Sequence, residues 1–471
     1  MDKNIFRAYD IRGVDLTQEV AYQIGLGAGT YLKQKYQVKN MAVGRDNRLS
    51  GKMLHDTYVK GLLETGINVT SVGLAISPLL YWSVCAMPFD SATNITASHN
   101  PKEYNGFKIV TKNAHSICGD ELQEIYNIID AKKFEKSQTP GQFIEKDFRA
   151  EYLKDLASRV KISRKLKVVV DTGNGTAGIF APEFLRMIGC DVIELYTELN
   201  GNFPNHEANP EELKNMEDLI LKVKSEKADL GIGFDGDGDR VGVVDEKGKL
   251  YSSDFMLLLL TKDLLKRVEN PQVVFDIKVS KMIINRMKEL GAIPVMSKTG
   301  HSFIEAKMKE LNAPLAGEVS GHLFFGENYY GFDDAMLAAA KIIEIIAAET
   351  HPLSQMFNDL PKSYMTPELK AACPDDKKFE IVQKVTDYFL KKYDCITIDG
   401  VRVNFSKTSW GAVRASNTSP NLTLRFEATT EEELEDVQEI MAAKLREFPD
   451  VNLDWFHPYW VLNKNDSGAS S

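Results

Sequence analysis

The chain sets out one rhythm three times: a short apolar strand ending in aspartate, a helical stretch, a glycine, then a second strand. Met41-Ala42-Val43-Gly44-Arg45-Asp46 opens the first round, with a helical pattern over Gly51–Glu64, a stop at Gly66 and a strand over 67–72. Val168-Val169-Val170-Asp171 opens the second, with a helix to about Ile188, a stop at Gly189 and a strand over 192–195. Val273-Val274-Phe275-Asp276 opens the third, with a helix to Leu290, a stop at Gly291 and a strand over 293–296. Glycine just past a helix ends it. Strand, helix, strand is a βαβ unit and calls for a parallel or mixed sheet. After each unit a third apolar run leads into a polar loop: 92–95 into Ser98, 228–234 into Asp235, and 313–316 into Glu318. Ligands on open α/β sheets gather at the carboxyl ends of strands. Three similar domains are therefore expected to offer one loop each to a shared cleft.

The remainder reads differently. From about Lys362 the chain is richer in Lys and Glu. Helical patterns over 377–392 and 430–448 flank strand-like runs at 395–398, 401–405 and 422–426. The expected fold is three similar α/β domains with mixed sheets around a cleft (1–148, 149–252, 253–361) plus a smaller C-terminal α+β domain (362–471). The last residues, 465–471, are small and polar and are expected to fray. A net charge of −10 argues against a nucleic-acid binder, which wants a basic face. Five dispersed cysteines with no CxxC pair read as reduced thiols. The first residues lack the apolar run of a signal peptide, and no stretch reaches the length of a membrane span. The expectation is a cytoplasmic protein, favoured as a monomer.

Asp235-Gly236-Asp237-Gly238-Asp239-Arg240 carries the strongest chemical signal. The glycines let the backbone fold tightly, so three carboxylates converge. Crowded anions repel unless a cation sits among them, and oxygen donors favour a hard ion, Mg²⁺ or Ca²⁺. Asp235, Asp237, Asp239 and Glu246 have the spacing of a calcium EF-hand, but Arg240 stands where that loop requires glycine, and the flanks read as strands. Replacing the central carboxylate, Asp237, with asparagine is expected to relieve part of the repulsion. Gly173-Asn174-Gly175-Thr176-Ala177-Gly178 matches GxGxxG formally, but the other two units have no such glycines, so it reads mainly as a structural turn.

Thr96-Ala97-Ser98-His99-Asn100-Pro101 follows an apolar run. A serine hydroxyl becomes useful when a base, cation or metal favours its alkoxide or its phosphate ester; the alternative is a turn before proline. Gly317-Glu318-Val319-Ser320-Gly321-His322 offers groups suited to vicinal sugar hydroxyls, or is a solvent turn. Arg414-Ala415-Ser416-Asn417-Thr418-Ser419-Pro420 has a guanidinium with hydroxyls and an amide, a phosphate cradle or an ordinary hairpin loop. Lys108, Lys278, Lys298 and His301 lie in or beside these loops and together would balance phosphate. Tyr9 and Arg12 lie near the start, in Tyr9-Asp10-Ile11-Arg12-Gly13.

These four loops, in this order, resemble those of the α-D-phosphohexomutase family, most closely its bacterial phosphomannomutase/phosphoglucomutase branch. The likeness extends to Asn105-Gly106-Phe107-Lys108 and Lys298-Thr299-Gly300-His301-Ser302, and covers almost the whole chain. It implies a phosphoserine at Ser98, and one Mg²⁺ held by Ser98, Asp235, Asp237 and Asp239. It implies a hexose 1,6-bisphosphate (glucose or mannose) that serves as intermediate and activator. Arg240 and Lys108 are placed beside the transferring group, His301 and Lys108 are candidates for moving the proton, and Arg12 for contacting phosphate. Tyr9, Lys278, Glu318, Ser320, His322, Arg414, Ser416, Asn417 and Thr418 are placed around the substrate. Ala97 stands where glycine is frequent, and Val319 where methionine is frequent, which bears on sugar preference. The reaction implied is exchange of hexose 6-phosphate and hexose 1-phosphate, mannose and/or glucose. Phosphoglucosamine mutase, a Mg²⁺-dependent phosphatase and a non-catalytic phosphosugar-binding protein are the alternatives.

Overall fold

The computed structural model describes residues 1–417 and 419–454; Thr418 and the tail at 465–471 lie outside the described residues. Three mixed sheets and one antiparallel sheet follow one another along the chain. The first runs in the order Ile11–Val14, Tyr104–Thr111, Ser91–Ile95, Asn40–Arg45, Asn68–Leu74, Phe143–Glu145, with His115–Ser116 paired to Tyr104–Thr111. The second runs Leu250–Tyr251, Val241–Asp245, Leu230–Phe234, Lys167–Asp171, Asp191–Leu195. The third runs Ile293–Ser297, Gln272–Asp276, Leu315–Gly317, Leu323–Phe325. In each, the expected βαβ pair is parallel, and the strand after the polar loop turns back antiparallel, as in Leu230–Phe234 against Val241–Asp245.

The helix stops fall where the glycines require them. Gly66 has φ 88°, a left-handed conformation that glycine adopts without strain, and Gly189 and Gly291 repeat it at 102° and 98°. One helix departs from the expected rhythm. The second unit has a 3-10 turn at Thr176–Ile179 and then a short α-helix, Ala181–Met187, opened by Pro182. Thr176 is committed elsewhere: its N–H donates to Gly236 O (3.1 Å) and its hydroxyl accepts from Asn47 N (3.0 Å). The GxGxxG segment is thus a bracket between the first domain and the acidic loop.

The fourth sheet runs Tyr364–Met365, Asn421–Ala428, Trp410–Ala415, Val401–Asn404, Asp394–Ile396, with Leu369–Ala372 also on Asn421–Ala428. Lys378–Phe389 and Glu431–Leu445 pack on it. The run expected at 395–398 leaves the sheet after Ile396, where Asp399 and Gly400 turn toward the cleft.

Apolar burial divides the molecule unevenly. One continuous core joins part of the first domain to the second and third, through residues such as Trp82, Tyr152, Phe184, Leu258 and Ile343. Three helices are apolar nearly all round and lie inside it: Ser77–Ala86, Ser253–Leu264 and Ala335–Ala348. Each Leu or Ile buried there contributes about 1.5–3 kcal/mol. The fourth domain keeps a separate core built on Phe389, Val401, Leu424 and Met441, and meets the third through polar contacts. Arg402 donates to the carbonyls of Ile277 (2.6 Å) and Val279 (2.7 Å), and Arg425 to that of Lys278 (2.8 Å). All five cysteines are free. Among the described residues no helix is long and apolar enough to cross a membrane.

Candidate active site

The loops leaving the three mixed sheets and the β-hairpin of the fourth domain face one cleft of about 390 Å³. At one end stands Ser98, just past Ser91–Ile95. It is buried and holds φ 52°, a left-handed conformation that costs a non-glycine residue roughly 1–3 kcal/mol. Its hydroxyl donates to Asp235 Oδ2 (2.6 Å) and lies 3.2 Å from His99 Nδ1. Gly236 lets the acidic loop come this near: a Cβ there would lie 2.5 Å from Ser98 O.

The acidic loop turns between Leu230–Phe234 and Val241–Asp245, antiparallel strands rather than the helices of an EF-hand. Its three carboxylates have oxygens close enough to share one ion. Lys108, projecting from Tyr104–Thr111, donates to Asp237 Oδ2 (2.8 Å) and Asp239 Oδ2 (2.5 Å). Ser77 Oγ also donates to Asp237 Oδ2 (2.6 Å). The other oxygens, Asp237 Oδ1 and Asp239 Oδ1, are buried and have no hydrogen-bond partner among the described residues. Orphaned hard oxygens beside a third carboxylate and a hydroxyl fit a divalent cation such as Mg²⁺.

Charge is shared unequally here. Burial, then Asp239 and Asp237, push the Asp235 carboxyl well above its usual range. Burial acts on Asp237 and Asp239 too, but Lys108 outweighs it and holds both below that range. In return, the paired carboxylates overcome the burial of Lys108 and hold its ammonium charged. Arg240 ends the loop and donates Nε–H to His322 Nε2 (2.9 Å). The arginine can only donate, so His322 Nε2 accepts and its proton sits on Nδ1, donated to Asp333 (2.6 Å). Burial pushes this imidazole down to about 3, so it is neutral. In the grouping of Asp239, His322 and Asp333, His322 is therefore tied to Asp333 by a hydrogen bond, while Asp239 Oδ1 lies 3.8 Å from the His322 Nδ1.

Glu318 and Ser320 sit in the tight turn between Leu315–Gly317 and Leu323–Phe325, where Glu318 N donates to His322 O (2.9 Å). Glu318 Oε1 accepts from Gly300 N (2.5 Å), and burial, then Asp276, push its carboxyl up to about 8. His301 opens the helix His301–Leu311, stacks on His322 at 5.8 Å, and is pushed by burial down to about 4. Lys278 lies between Glu368 and Asp276. Arg12 donates to Asn100 Oδ1 (2.8 Å) and to Asp10.

At the far end Arg414 projects from the strand Trp410–Ala415. Its Nε donates to Asp399 (2.7 Å), while Nη2 is buried with no hydrogen-bond partner among the described residues. Ser416 Oγ is 2.9 Å from Ser419 Oγ, and Asn417 donates to the Tyr9 hydroxyl, which itself donates to Thr299 O (2.7 Å). First, third and fourth domains meet there. Two expectations change: Lys298 is exposed, over the Phe303 ring and off the cleft wall, and Val319 borders a second hollow behind the Glu318 turn. Glu318 and Ser320 line the main cleft and Val319 does not, its side chain being buried at the base of the turn, so any effect of Val319 on sugar choice is indirect.

Family models match the chain in four successive pieces. They are phosphoglucomutase/phosphomannomutase alpha/beta/alpha domain I (3–136), domain II (150–248) and domain III (252–364), and the C-terminal domain (368–444). The chain belongs to the phosphoglucomutase/phosphomannomutase family. It is 42% identical to a Pseudomonas aeruginosa phosphomannomutase/phosphoglucomutase over 447 residues, covering 94% of this chain and 96% of that one. It is 39% identical to a Neisseria meningitidis serogroup A phosphoglucomutase, covering 96% and 98%. The solved structure of a Burkholderia thailandensis phosphoglucomutase/phosphomannomutase family protein superposes with a TM-score of 0.88 at 37% identity, covering 96% and 99%.

In this phosphoglucomutase/phosphomannomutase-family chain, sequence reasoning missed several residues of the cleft wall. Glu207, Asn209 and Glu211 come from the loop between Asp191–Leu195 and Leu213–Glu226, and Glu368 and Lys370 from the fourth domain. The signal was length: a connection from 196 to 212 is too long to be a plain link.

Proposed function

We propose that this chain interconverts hexose 6-phosphate and hexose 1-phosphate, of mannose and glucose, with the phosphoryl group carried by Ser98. A hexose 1,6-bisphosphate is the intermediate, and added in trace it restores the phosphoserine. One observation carries the reading. A single cleft has a strained serine against a carboxylate cluster at one end and, at the other, an arginine whose Nη2 has no partner among the described residues. One nucleophile and one distal cradle suit a substrate whose two ends are phosphorylated in turn.

The residues act as follows. Arg414, Ser416 and Asn417 hold the phosphate that is not reacting. Glu318 and Ser320 meet a pair of sugar hydroxyls, in either orientation of the ring. Ser98, Asp235, Asp237 and Asp239 would hold Mg²⁺, which when bound draws charge from the transferring phosphoryl oxygens. Arg240 and Lys108 keep their charge and steady that group from the protein side. His301, neutral and facing the cleft, accepts the proton of the sugar hydroxyl as it attacks. Arg12, Tyr9, Lys278 and His322 fix the walls. Phosphoryl transfer asks mainly for alignment and charge stabilisation.

The test follows hexose 1-phosphate, with mannose, glucose and glucosamine forms in parallel, with and without glucose 1,6-bisphosphate. Isomer formation on the mannose and glucose forms is expected, with a mass increase of one phosphate on Ser98. Free phosphate alone, or binding without turnover, overturns the reading. Ser98→Ala should lower turnover by about 10³-fold or more, since no neighbour replaces the covalent route.

A further inference from the structure

Ser98 occupies a conformation that its own chain disfavours, so something must impose it. The residues on both sides show what does. Arg48 lies just past the strand Asn40–Arg45 and is buried. Its guanidinium donates to four backbone carbonyls of the serine loop: Ser98 O (2.8 Å), Asn100 O (2.6 Å), Pro101 O (2.6 Å) and Tyr104 O (3.0 Å). Its remaining Nε–H goes to Asp46 Oδ2 (3.0 Å). The same Asp46 oxygen accepts the Thr96 hydroxyl (2.7 Å), and Thr96 Oγ1 accepts the N–H of Ser98 (2.9 Å). Ser98 is therefore gripped at its N–H through Thr96 and Asp46, and at its C=O by Arg48.

Packing alone does not do this. Behind the loop lies a cavity of about 200 Å³, bordered by Arg48, Ser98, Asn100 and Phe203. The loop has room to relax outward, and the guanidinium spans that side. Phe203, from the second domain, covers the guanidinium face at 5.3 Å. A lysine at 48 would offer one ammonium and no planar fork, so it would reach few of these carbonyls.

We infer that Arg48 is the positioning residue that sets Ser98 Oγ in line with the cleft. The inference rests on Ser98 being the phosphoryl carrier. Arg48 touches neither substrate nor the transferring group; it acts through the backbone of residues 98–104.

The experiment compares wild type, Arg48→Lys and Thr96→Val, with intact Mg²⁺-loaded enzyme throughout. It measures single-turnover phosphorylation of Ser98 from glucose 1,6-bisphosphate by mass, then kcat and KM for glucose 1-phosphate, and thermal midpoints. A misplacement near 1 Å should cost about 10²-fold in the phosphorylation rate and in kcat for Arg48→Lys, with KM changed by less than about twofold. Thr96→Val, which removes only the N–H grip, should show the same split at smaller size, and it decides the matter if Arg48→Lys does not fold. A role confined to stability would lower the midpoint and leave the rates of the folded enzyme alone, and that result overturns the inference. So does a fall in KM-type binding with an unchanged phosphorylation rate. If wild type itself takes no phosphate on Ser98, the mutase reading fails first, and the two failures are told apart.

Discussion

Glu318 shows what one buried carboxyl does to the pH profile. Its native value is about 8 against 4.5 in the open chain. Between those values the unfolded chain has lost the proton while the native state still holds it, so stability falls as pH rises through that window. Glu305 and Asp333, both pushed by burial to about 7, add in the same direction. Glu318→Gln should therefore narrow the drop in thermal midpoint between pH 5 and pH 8; an unchanged drop counts against the buried-carboxyl account. Among the acidic-loop carboxylates, burial and repulsion weigh most on Asp235, since Lys108 and Ser77 both donate to Asp237 Oδ2. Asp235→Asn, rather than Asp237→Asn, should raise stability in chelator. It should also weaken Mg²⁺ binding, read by calorimetry. Chelation of the wild type should stop turnover, and Mg²⁺ should restore it; full activity after exhaustive removal would show that the loop holds no working ion.

Among the elements, the approach of two loops matters most. A Cβ on Gly236 would meet the carbonyl of Ser98 at 2.5 Å, and backbone cannot step aside as a flexible side chain can. Gly236→Ala should push the acidic loop from the serine and cost at least about tenfold in kcat. The three carboxylates keep their own turn, so Mg²⁺ affinity should change little; loss of metal binding instead would mean the turn itself had opened. Much of this was legible beforehand, because it rests on local rules. Strand-end aspartates, glycine stops and the position of each polar loop follow from periods of 2 and 3.6 and from the carboxyl-end rule. What was not legible depends on long-range contacts. Asp46 and Asp276 look alike at two strand ends, and each faces a cation two residues on, Arg48 or Lys278. Only the fold shows that the first cation grips a backbone; the second lines the cleft, where the resemblance had placed it. Val319 shows the reverse: its sequence neighbours Glu318 and Ser320 both line the cleft, but the turn between the strands buries its side chain away from it.

For the whole molecule, the contrast between apolar and polar junctions predicts two cooperative units. The first three domains share buried apolar surface, whereas the fourth is fastened by Arg402, Arg425 and Glu427, the last accepting from Ser280 Oγ (2.8 Å). Native-state hydrogen exchange should show amides of the fourth domain opening at a lower free energy than strands Asn40–Arg45 and Lys167–Asp171. A single opening free energy throughout would mean the polar junction is as strong as the apolar one. The bond between Asn417 and Tyr9 has a further consequence, because it joins positions 408 residues apart. Residues made first must wait for residues made almost last. At about 5–20 residues per second that wait is about 20–80 s. The serine loop emerges early and waits without its distal partner, so under the proposed function a nascent chain has the phosphoryl-carrying hydroxyl before it has the residues that hold the distal phosphate. A chain cut short of Arg414 would lack Arg414, Ser416 and Asn417, the residues proposed to hold the distal phosphate.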